Sequence, residues 1–339
     1  MKVSVFAYSR RGCQTARTIL NFFEQDETAA YTVERFQEPE FQPLGKPAHD
    51  FYGDIFRTAD AMIFVGSCGI AVREIAPHVH DKRTDPAVLC VDELGQYVIP
   101  LLSGHMGGAN ELAANLAKKL GAQPIITTAT DINKKFSVDA WAARNDCAIS
   151  SMPLAKAVSA AILEHELPFC SAFPIGTALP SGVAAGTDGE LGIALTWKRT
   201  DPFEQTLRLI PKVLHLGIGC RRGTEEAAIE AAVQSVLEEN QIDEQAIKCV
   251  ASIDLKADEQ GLLAFCEQHQ WPIAFYTAQE LQQVEGAFTP STFVKSVTGV
   301  DNVCERSALL GAERLIVKKT ALNGVTVAVA AEHWEVHFG

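Results

Sequence analysis

The sequence predicts a multi-domain α/β protein with Rossmann-like, mainly parallel sheets and helices on both faces. Three observations indicate this class. Short apolar runs typical of buried strands alternate with longer amphipathic segments. Glycine-rich turns follow several of these runs, at 66–69, 104–108 and 219–223. A chain of 339 residues also exceeds one ordinary hydrophobic core, so two or three domains are expected.

The clearest strand–turn–helix unit lies at 97–131. Residues 97–102 are apolar and partly β-branched, which predicts a strand covered on both faces. A turn with three glycines follows at 103–108, and leucines then recur at every fourth position of 112–120, as on one face of a helix. Gly121 stands where a helix end is usually closed. Such a unit places backbone N–H groups at the carboxyl edge of a sheet, where open α/β sheets bind ligands.

The residues before this unit predict the rest of a first α/β domain, 1–131. We expect strands at 2–8, 61–65 and 88–91, and a hairpin between 88–91 and 97–102.

A middle domain, 132–212, is predicted to be helical over 136–163. A third α/β domain, 213–339, has a strand at 213–218, helices at 259–269 and 300–310, and a tight hairpin at Asn323-Gly324. Thr224 is the N-cap candidate for its first long helix.

Charge and cysteine content exclude several classes of protein. The formal net charge of -13 argues against nucleic-acid binding, which rests on a cationic surface. It also requires that an anionic ligand be held by a local group of basic residues. The nine cysteines show no metal-site spacing and are scattered through apolar segments, as expected of reduced thiols in a cytoplasmic protein. We find neither a signal peptide nor an apolar run of 18 residues.

The turn at 103–110 supplies Ser103, His105 and Asn110. His105 is the group best suited to proton transfer near neutral pH, although a lone loop histidine is more often a hydrogen-bonded structural residue. Asp92-Glu93 is a pair of adjacent acids in a turn, where carboxylates usually bind the backbone.

Two further motifs invite weaker interpretations. The run GIGCRRGT at 217–224 is one residue off the dinucleotide fingerprint, and Asp254 lies 35 residues beyond Gly219 instead of about 20. An anion site with Arg221 and Arg222 fits it better than NAD or FAD, and a structural turn with exposed arginines stays an alternative. His78-x-His80-Asp81 lacks a third ligand at a recognisable spacing, so we predict a solvated loop and no metal site.

Taken together, several motifs resemble one family. They are GSCGIAVR (66–73), DPAVLCVDELGQYVIPLLSGHMGGANELA (85–113), ITTATD (126–131), HLGIGCRRGT (215–224), ASIDLKADEQGL (251–262) and VTGVDNVCERSAL (297–309). The family is the cobalt-precorrin-5A hydrolase (CbiG) family of anaerobic cobalamin biosynthesis. The third domain also looks like single-domain relatives of the aerobic pathway. The resemblance covers essentially the whole chain and is weakest over 132–212.

The resemblance implies a hydrolytic reaction on a cobalt-containing tetrapyrrole. Water opens the δ-lactone of cobalt-precorrin-5A, and the C20 fragment leaves as acetaldehyde to give cobalt-precorrin-5B. Cobalt is carried by the substrate, so no protein-bound cofactor or metal is expected. The expected partners are this substrate and, transiently, other enzymes of the corrin pathway, with no nucleic acid and no membrane. A non-catalytic carrier of corrinoid intermediates is the alternative, and it would release no acetaldehyde.

Lactone opening needs a base for water and donors for the developing oxyanion. We therefore expect His105 to activate water, Asp92 or Glu93 to orient it, and Glu305 to be a second acid or base. A larger set is expected to bind substrate through hydroxyl, amide, backbone or cationic groups: Ser67, Gly69, Arg73, Ser103, Gly107, Gly108, Asn110, Arg221, Arg222 and Lys256. In this set, the N–H groups of Gly107 and Gly108 are the expected oxyanion donors.

Overall fold

The computed structural model describes residues 1–81, 84–105 and 107–338, which form two compact units. The first unit comprises Met1–Ala140 and the second Trp141–Gly339. Three mixed, mostly parallel sheets are flanked by helices, which confirms the predicted α/β class. The division into three domains at 131 and 212 stays a prediction.

The first unit is built on one seven-stranded sheet. Its strands are β1 (Lys2–Ala7), β2 (Glu27–Thr32), β3 (Gln42–Pro43), β4 (Ala61–Val65), β5 (Ala87–Val91), β6 (Tyr97–Leu102) and β7 (Gln123–Pro124). Its helices are α1 (Arg10–Leu20), α2 (Ala48–Thr58), α3 (Cys68–Ile75), α4 (Ala109–Leu120) and α5 (Ala129–Ile132), and α6 (Val138–Arg144) crosses into the second unit. The strand order is β3-β2-β1-β4-β5-β6-β7.

The strand order of the first unit reverses between β1 and β4. The chain leaves β1 toward β2 and β3 on one side, then returns through β4 to β5 on the other. These five strands are parallel, and β4 and β5 are apolar and buried along their whole length, as a sheet covered on both faces requires. The carboxyl edge at such a reversal is the usual ligand-binding edge of an open α/β sheet.

The predicted hairpin and helix of the 97–131 segment are confirmed, with one correction. β5 and β6 pair antiparallel, and α4 ends at Gly121, whose φ of 67° suits glycine. The prediction that β6 is covered on both faces was wrong. Tyr97 is exposed, and Ile99 and the three residues after it are half-buried. The reason is that β7 pairs with β6 at only two positions and leaves most of that strand near the sheet edge.

The second unit contains two five-stranded sheets. The first, in the order β10-β9-β11-β12-β8, uses β8 (Cys147–Ile149), β9 (Leu167–Ser171), β10 (Val183–Ala185), β11 (Leu191–Leu195) and β12 (Gln205–Pro211). The other, in the order β15-β14-β13-β17-β16, uses β13 (Leu214–Cys220), β14 (Ile247–Ile253), β15 (Ile273–Tyr276), β16 (Arg314–Leu322) and β17 (Val325–Ala331). The helices are α7 (Met152–Glu164), α8 (Glu226–Glu239), α9 (Gln260–His269), α10 (Ala278–Gln283), α11 (Thr292–Thr298) and α12 (Cys304–Leu309).

Three predicted helices of the later chain differ from the structure. Residues 136–163 do not form one helix, because Asp146 turns the chain with a φ of 48° and β8 separates α6 from α7. The helix predicted at 300–310 begins only at Cys304, since Asn302 Oδ1 accepts the N–H of Glu305 at 2.9 Å just before it. Thr224 is not an N-cap, as its hydroxyl donates to Arg221 O at 2.7 Å. The hairpin at Asn323-Gly324 is confirmed, with φ values of 50° and 85°.

Candidate active site

The turn between β6 and α4 is held by the backbone and side chain of Ser103. Ser103 adopts a φ of 57°, and its buried hydroxyl donates to Asp85 O at 2.9 Å. A Cβ on Gly107 would lie 2.4 Å from Ser103 Cβ, so only glycine fits there. The predicted substrate contact of Ser103 therefore has a competing structural use. Met106, in the same turn, lies outside the described residues.

His105 lies between two carboxylates. Its Nδ1 is 3.2 Å from Asp139 Oδ1, and its Nε2 is 3.1 Å from Asp131 Oδ2 and 3.3 Å from Thr130 Oγ1. The hydrogen bond with Asp139 is the main cause that raises the pKa of His105 above its ordinary value. Burial opposes this effect, and the charges of both carboxylates add to it.

The two ends of the His105 ring differ in their access to solvent. The side chain of Asp139 is 12% exposed, whereas that of Asp131 is 35% exposed. A buried carboxylate on one ring nitrogen fixes the orientation and tautomer of an imidazole, and leaves the other nitrogen for proton transfer. The Nε2 end, beside Asp131, is therefore the end at which His105 can exchange a proton with a ligand.

Asn110 fixes Asp131 in turn. The buried Asn110 side chain donates from Nδ2 to Asp131 Oδ2 at 2.7 Å and to Thr128 Oγ1 at 2.9 Å. That Asn110 binds substrate stays a prediction. Its observed bonds make it part of the group that positions Asp131 and, through Asp131, His105.

The acids expected to orient His105 have other partners. Asp92 Oδ1 accepts the N–H groups of Gln96 and Tyr97 at 2.7 and 2.6 Å, and its Oδ2 accepts that of Leu94 at 3.0 Å. Glu93 Oε2 accepts the hydroxyl of Ser9 at 2.7 Å. Asp92 thus closes its own hairpin turn, and the contacts with His105 are made by Asp131 and Asp139. A part for Asp92 or Glu93 in catalysis stays a prediction.

The remaining expected contacts of the first unit lie on α3 and in the turn before α4. Ser67 caps α3, accepting the N–H of Gly69 at 3.3 Å, and Gly69 and Arg73 are exposed on that helix. The N–H of Gly108 donates to His105 O at 3.0 Å, so that donor is already used in the turn. Gly107 is exposed, and it is the better placed of the two predicted oxyanion donors.

In the second unit, the cations expected to bind substrate lie beyond the carboxyl ends of β13 and β14. Lys256 Nζ is 3.1 Å from Glu259 Oε2, and Glu259 Oε1 accepts the N–H of Gly223 at 2.6 Å. Arg222 donates to Asp258 Oδ2 at 3.0 Å and to Leu255 O at 3.2 Å. Lys256 and Arg222 are thus brought to one edge of the sheet, each with an acidic partner, and Arg221 is exposed beside them.

The charges at this edge follow from these pairs. Burial alone would raise the pKa of Glu259, but Lys256 and the N–H of Gly223 outweigh it, and the pKa is lowered. Asp258 has a lowered pKa because of its hydrogen bond to Arg222. Both acids are therefore ionised near neutral pH. An anionic ligand can bind the arginines only by competing with Asp258 or by using the exposed Arg221.

Glu305 is a buried structural carboxylate by its contacts. Its oxygens accept the N–H groups of Thr289 and Lys319, both at 2.8 Å, and the side-chain amide of Asn302 at 2.6 Å. The hydroxyl of Thr289 adds a fourth bond at 3.1 Å. Its side chain is fully buried. The hydrogen bonds that Glu305 accepts join α12 to β16 and to the segment before α11. The expected acid–base role of Glu305 stays a prediction.

Reasoning from the sequence missed Asp139 and did not assign a role to Asp131. Asp131 ends the motif ITTATD, and the hydroxyl-rich end of that motif was a usable signal, because Thr128 and Thr130 both take part in the group around His105. Asp139 carried no such signal. It lies at the start of α6, eight residues farther along, and only the folded chain brings it to Nδ1 of His105.

The loop at 78–81 was also misjudged in part. His78 is 8% exposed, so it does not lie in a solvated loop, and its ring centroid is 4.6 Å from that of His49.

Among the described residues, no group of three or more His, Cys, Asp or Glu side chains is placed to hold a metal ion. Within the same part of the chain, none of the helices has the length and apolar character needed to cross a membrane.

Known proteins resemble this chain over nearly its whole length. Residues 50–131 match the family model described as Cobalamin synthesis G N-terminal, and residues 214–330 match Cobalamin synthesis G C-terminus. The cobalt-precorrin-5A hydrolase of Priestia megaterium is 32% identical over 354 aligned positions, covering 96% of this chain and 94% of that protein. The cobalt-precorrin-5A hydrolase of Salmonella typhimurium is 34% identical, covering 89% and 91%. Protein CobE of a Sinorhizobium species is 35% identical over 121 positions, covering 34% of this chain and 79% of that protein.

Proposed function

The chain belongs to the cobalt-precorrin-5A hydrolase (CbiG) family of cobalamin biosynthesis, and from this premise we propose how its residues act. It is an enzyme, a hydrolase whose substrate is the cobalt-containing tetrapyrrole cobalt-precorrin-5A. In the proposed reaction, water opens the δ-lactone of the substrate. Deprotonation of the C20 hydroxyl then breaks a C–C bond and releases acetaldehyde, leaving cobalt-precorrin-5B.

The observation that supports this chemistry is the pairing of His105 with a buried and an exposed carboxylate. Asp139 holds Nδ1, so once Nε2 has lost the proton that it shares with Asp131, the neutral ring presents Nε2 as the base. In the proposed step, water gives its proton to this end of the ring and its oxygen attacks the lactone carbonyl. The same nitrogen, once protonated, can return the proton to the leaving oxygen.

We propose that the cations at the edge of the second unit hold peripheral carboxylates of the substrate. Arginine is suited to this because it binds a carboxylate through two parallel N–H bonds and keeps its charge. Lys256, Arg221 and Arg222 are close in the fold, although Arg222 is shared with Asp258. At the first unit, two exposed residues of α3 are further proposed contacts: Gly69 in its first turn and Arg73 in its last turn.

Three further expectations are kept as proposals. Cobalt enters with the substrate, and the protein needs no bound cofactor of its own. A cytoplasmic location is supported by the nine cysteines, all of which are free thiols, as is usual in a reducing compartment. Contacts with other enzymes of the pathway are proposed to be transient.

The test is release of acetaldehyde from cobalt-precorrin-5A, followed with alcohol dehydrogenase and NADH. Wild type is expected to turn over many times, and His105→Ala to lose roughly 10²-fold or more of the rate, the usual contribution of a positioned acid–base group. His165→Ala is the control, since His165 is exposed at the end of α7. Full turnover by His105→Ala would remove the assignment. Binding of one equivalent without acetaldehyde would favour a carrier instead.

A further inference from the structure

A cysteine, a histidine and a glutamate form a connected group in the second unit. Cys249 on β14 and His215 on β13 are paired across the two strands, and Cys249 Sγ is 3.3 Å from His215 Nδ1. The other ring nitrogen, His215 Nε2, is 2.8 Å from Glu332 Oε1. Glu332 follows β17, where Ala330 pairs with His215. Adjacent strands thus bring three residues that are far apart in sequence into one line.

Glu332 is held as an anion and fixes the tautomer of His215. Lys248 Nζ lies 2.7 and 2.9 Å from the two oxygens of Glu332. Burial would raise the pKa of Glu332, but the bonds from Lys248 and His215 outweigh it and the pKa is lowered. The carboxylate of Glu332 accepts a hydrogen bond from Nε2–H, so Nδ1 carries no proton and can accept the S–H of Cys249. This is the order of nucleophile, base and orienting group that nucleophilic catalysis uses.

The group lies away from the predicted substrate contacts. His215 and Cys249 are the second and third residues of their strands, whereas Arg221, Arg222 and Lys256 lie beyond the opposite, carboxyl ends. His215 is buried, and a Cβ on Gly311 would lie 2.5 Å from its Cε1, so the chain closes tightly over the ring. Cys249 is half-buried.

We propose that Cys249, His215 and Glu332 form a second, nucleophilic site that adds to small aldehydes. The sulfur of Cys249 bonds to the carbonyl carbon, the π electrons of the C=O bond move to oxygen, and the sulfur proton passes through His215 Nδ1 to that oxygen. The product is a hemithioacetal. No leaving group, oxidant or other co-reactant is needed, and the step reverses when the aldehyde is diluted.

A carbonyl electrophile is the class that this arrangement suits. Burial raises the pKa of the Cys249 thiol, so the sulfur stays protonated at rest and depends on His215 to remove the proton at the moment of attack. The same His215 can return the proton to a new alkoxide. The proposed hydrolase reaction is a source of such an aldehyde within the same protein. The site itself does not depend on that reaction, because an added aldehyde tests it without turnover.

The experiment is iodoacetamide labelling of the full chain, with the rate at each cysteine read by peptide mass spectrometry. Cys170 on β9 is the matched control, because it is also half-buried and burial raises its pKa. Cys249 is expected to react roughly 10-fold faster than Cys170, since a positioned base removes its proton. Millimolar acetaldehyde is expected to slow labelling of Cys249 and to leave Cys170 unchanged.

Two variants connect the reactivity to the proposed group. His215→Gln is expected to bring the Cys249 rate down to that of Cys170. Glu332→Gln, at the edge of the group, is expected to lower it by a smaller factor, and it decides the matter if the buried His215 variant does not fold. Equal rates at Cys249 and Cys170 in wild type, or a Cys249 rate that acetaldehyde does not change, would overturn the proposal. Loss of acetaldehyde release from the corrinoid substrate would not affect it.

Discussion

The chemistry of His105 is decided by two carboxylates that differ in burial. Asp139 lies 3.2 Å from Nδ1 and is nearly buried, and Asp131 lies 3.1 Å from Nε2 at the solvent side. Together they raise the pKa of His105, with the hydrogen bond to Asp139 as the largest cause. A base must be unprotonated to act. Turnover that needs neutral His105 therefore rises with pH through a value above the ordinary histidine pKa.

Asp139→Asn is expected to change both the rate and its pH dependence. The amide no longer stabilises the protonated ring, so the rising limb of kcat/KM against pH moves to lower pH. The maximal rate falls by roughly 10²-fold or more, because the tautomer is no longer fixed. Asp92→Asn is the control that separates the two candidate orienting groups. A shift of the limb in the Asp92 variant and none in the Asp139 variant would assign the role to Asp92 after all.

His78 is expected to make the stability of the first unit depend on pH. Its Nε2 is buried and lacks a hydrogen-bond partner among the described residues. Burial is the main cause that lowers its pKa, and the neighbouring His49 adds to it. Between the two pKa values of His78, the unfolded chain binds a proton that the folded chain does not bind. The contribution of neutral His78 to stability is therefore complete above the ordinary histidine pKa and is lost as the pH falls from that value through the lower, folded-state pKa.

His78→Gln is expected to weaken the loss of thermal stability between about pH 7 and pH 5, because glutamine does not titrate in this range. The measurement is the melting temperature at a series of pH values for wild type, His78→Gln and the exposed-site control His165→Gln. If the wild type and His78→Gln curves stay parallel throughout, protonation of His78 is not a cause of acid destabilisation.

At the scale of elements, one buried carboxylate joins a helix, a strand and a loop of the second unit. Glu305 lies in the first turn of α12 and binds the backbone of Lys319 on β16 and of Thr289 before α11. The helix itself packs against β13, where a Cβ on Gly217 would lie 1.7 Å from Cys304 O. This close approach explains why glycine is needed in the strand. It also leaves no space for a ligand between α12 and β13.

Glu305→Gln tests whether this junction is structural. Glutamine replaces one of the two acceptor oxygens by an NH2 donor, so either the N–H of Thr289, on Oε2, or that of Lys319, on Oε1, loses its acceptor. The expected loss is about 1–3 kcal/mol of unfolding free energy. Urea unfolding measures the loss, and Glu244→Gln, on the surface near the start of β14, is the control. Turnover per folded molecule is expected to be retained. If stability is unchanged and turnover is abolished, Glu305 has the acid–base role that the sequence suggested.

At the scale of the whole molecule, an acidic protein acts on a substrate edged with carboxylates. The formal net charge is -13, so the average field repels such a substrate and binding depends on local cations and helix starts. The cations at the carboxyl edge of the second unit are partly neutralised by Asp258 and Glu259. Exchange of these acids for substrate carboxylates would let this edge of the sheet bind anions with little change in its net charge.

Chelation is expected to leave the enzyme active, since we propose that the cobalt enters with the substrate. Dialysis against EDTA followed by the acetaldehyde assay checks this, with metal analysis of the substrate-free protein alongside. Unchanged turnover and a metal content far below one equivalent are expected. Activity that is lost on dialysis and restored by one divalent metal would show a resident metal and would contradict the proposal.

The sequence alone determined the fold class, the strand–turn–helix units and the family. It could do so because these depend on local patterns: apolar runs, glycines at turns such as Gly121 and Asn323-Gly324, and motifs that are contiguous in the chain. The failures had one local and one tertiary cause. The helix predicted over 136–163 ignored the turn at Asp146, and β6 was predicted to be covered because its composition does not show how short its neighbour is.

Only the tertiary structure decided which carboxylates serve which histidine. Asp92 is closer in sequence to His105 than Asp139 is, but its oxygens are used by the backbone of its own hairpin, and the start of α6 brings Asp139 to the ring. The group of Cys249, His215 and Glu332 depends likewise on the pairing of three strands. The physical reason is that hydrogen bonds and pKa shifts act over a few ångströms in space, whatever the separation along the chain.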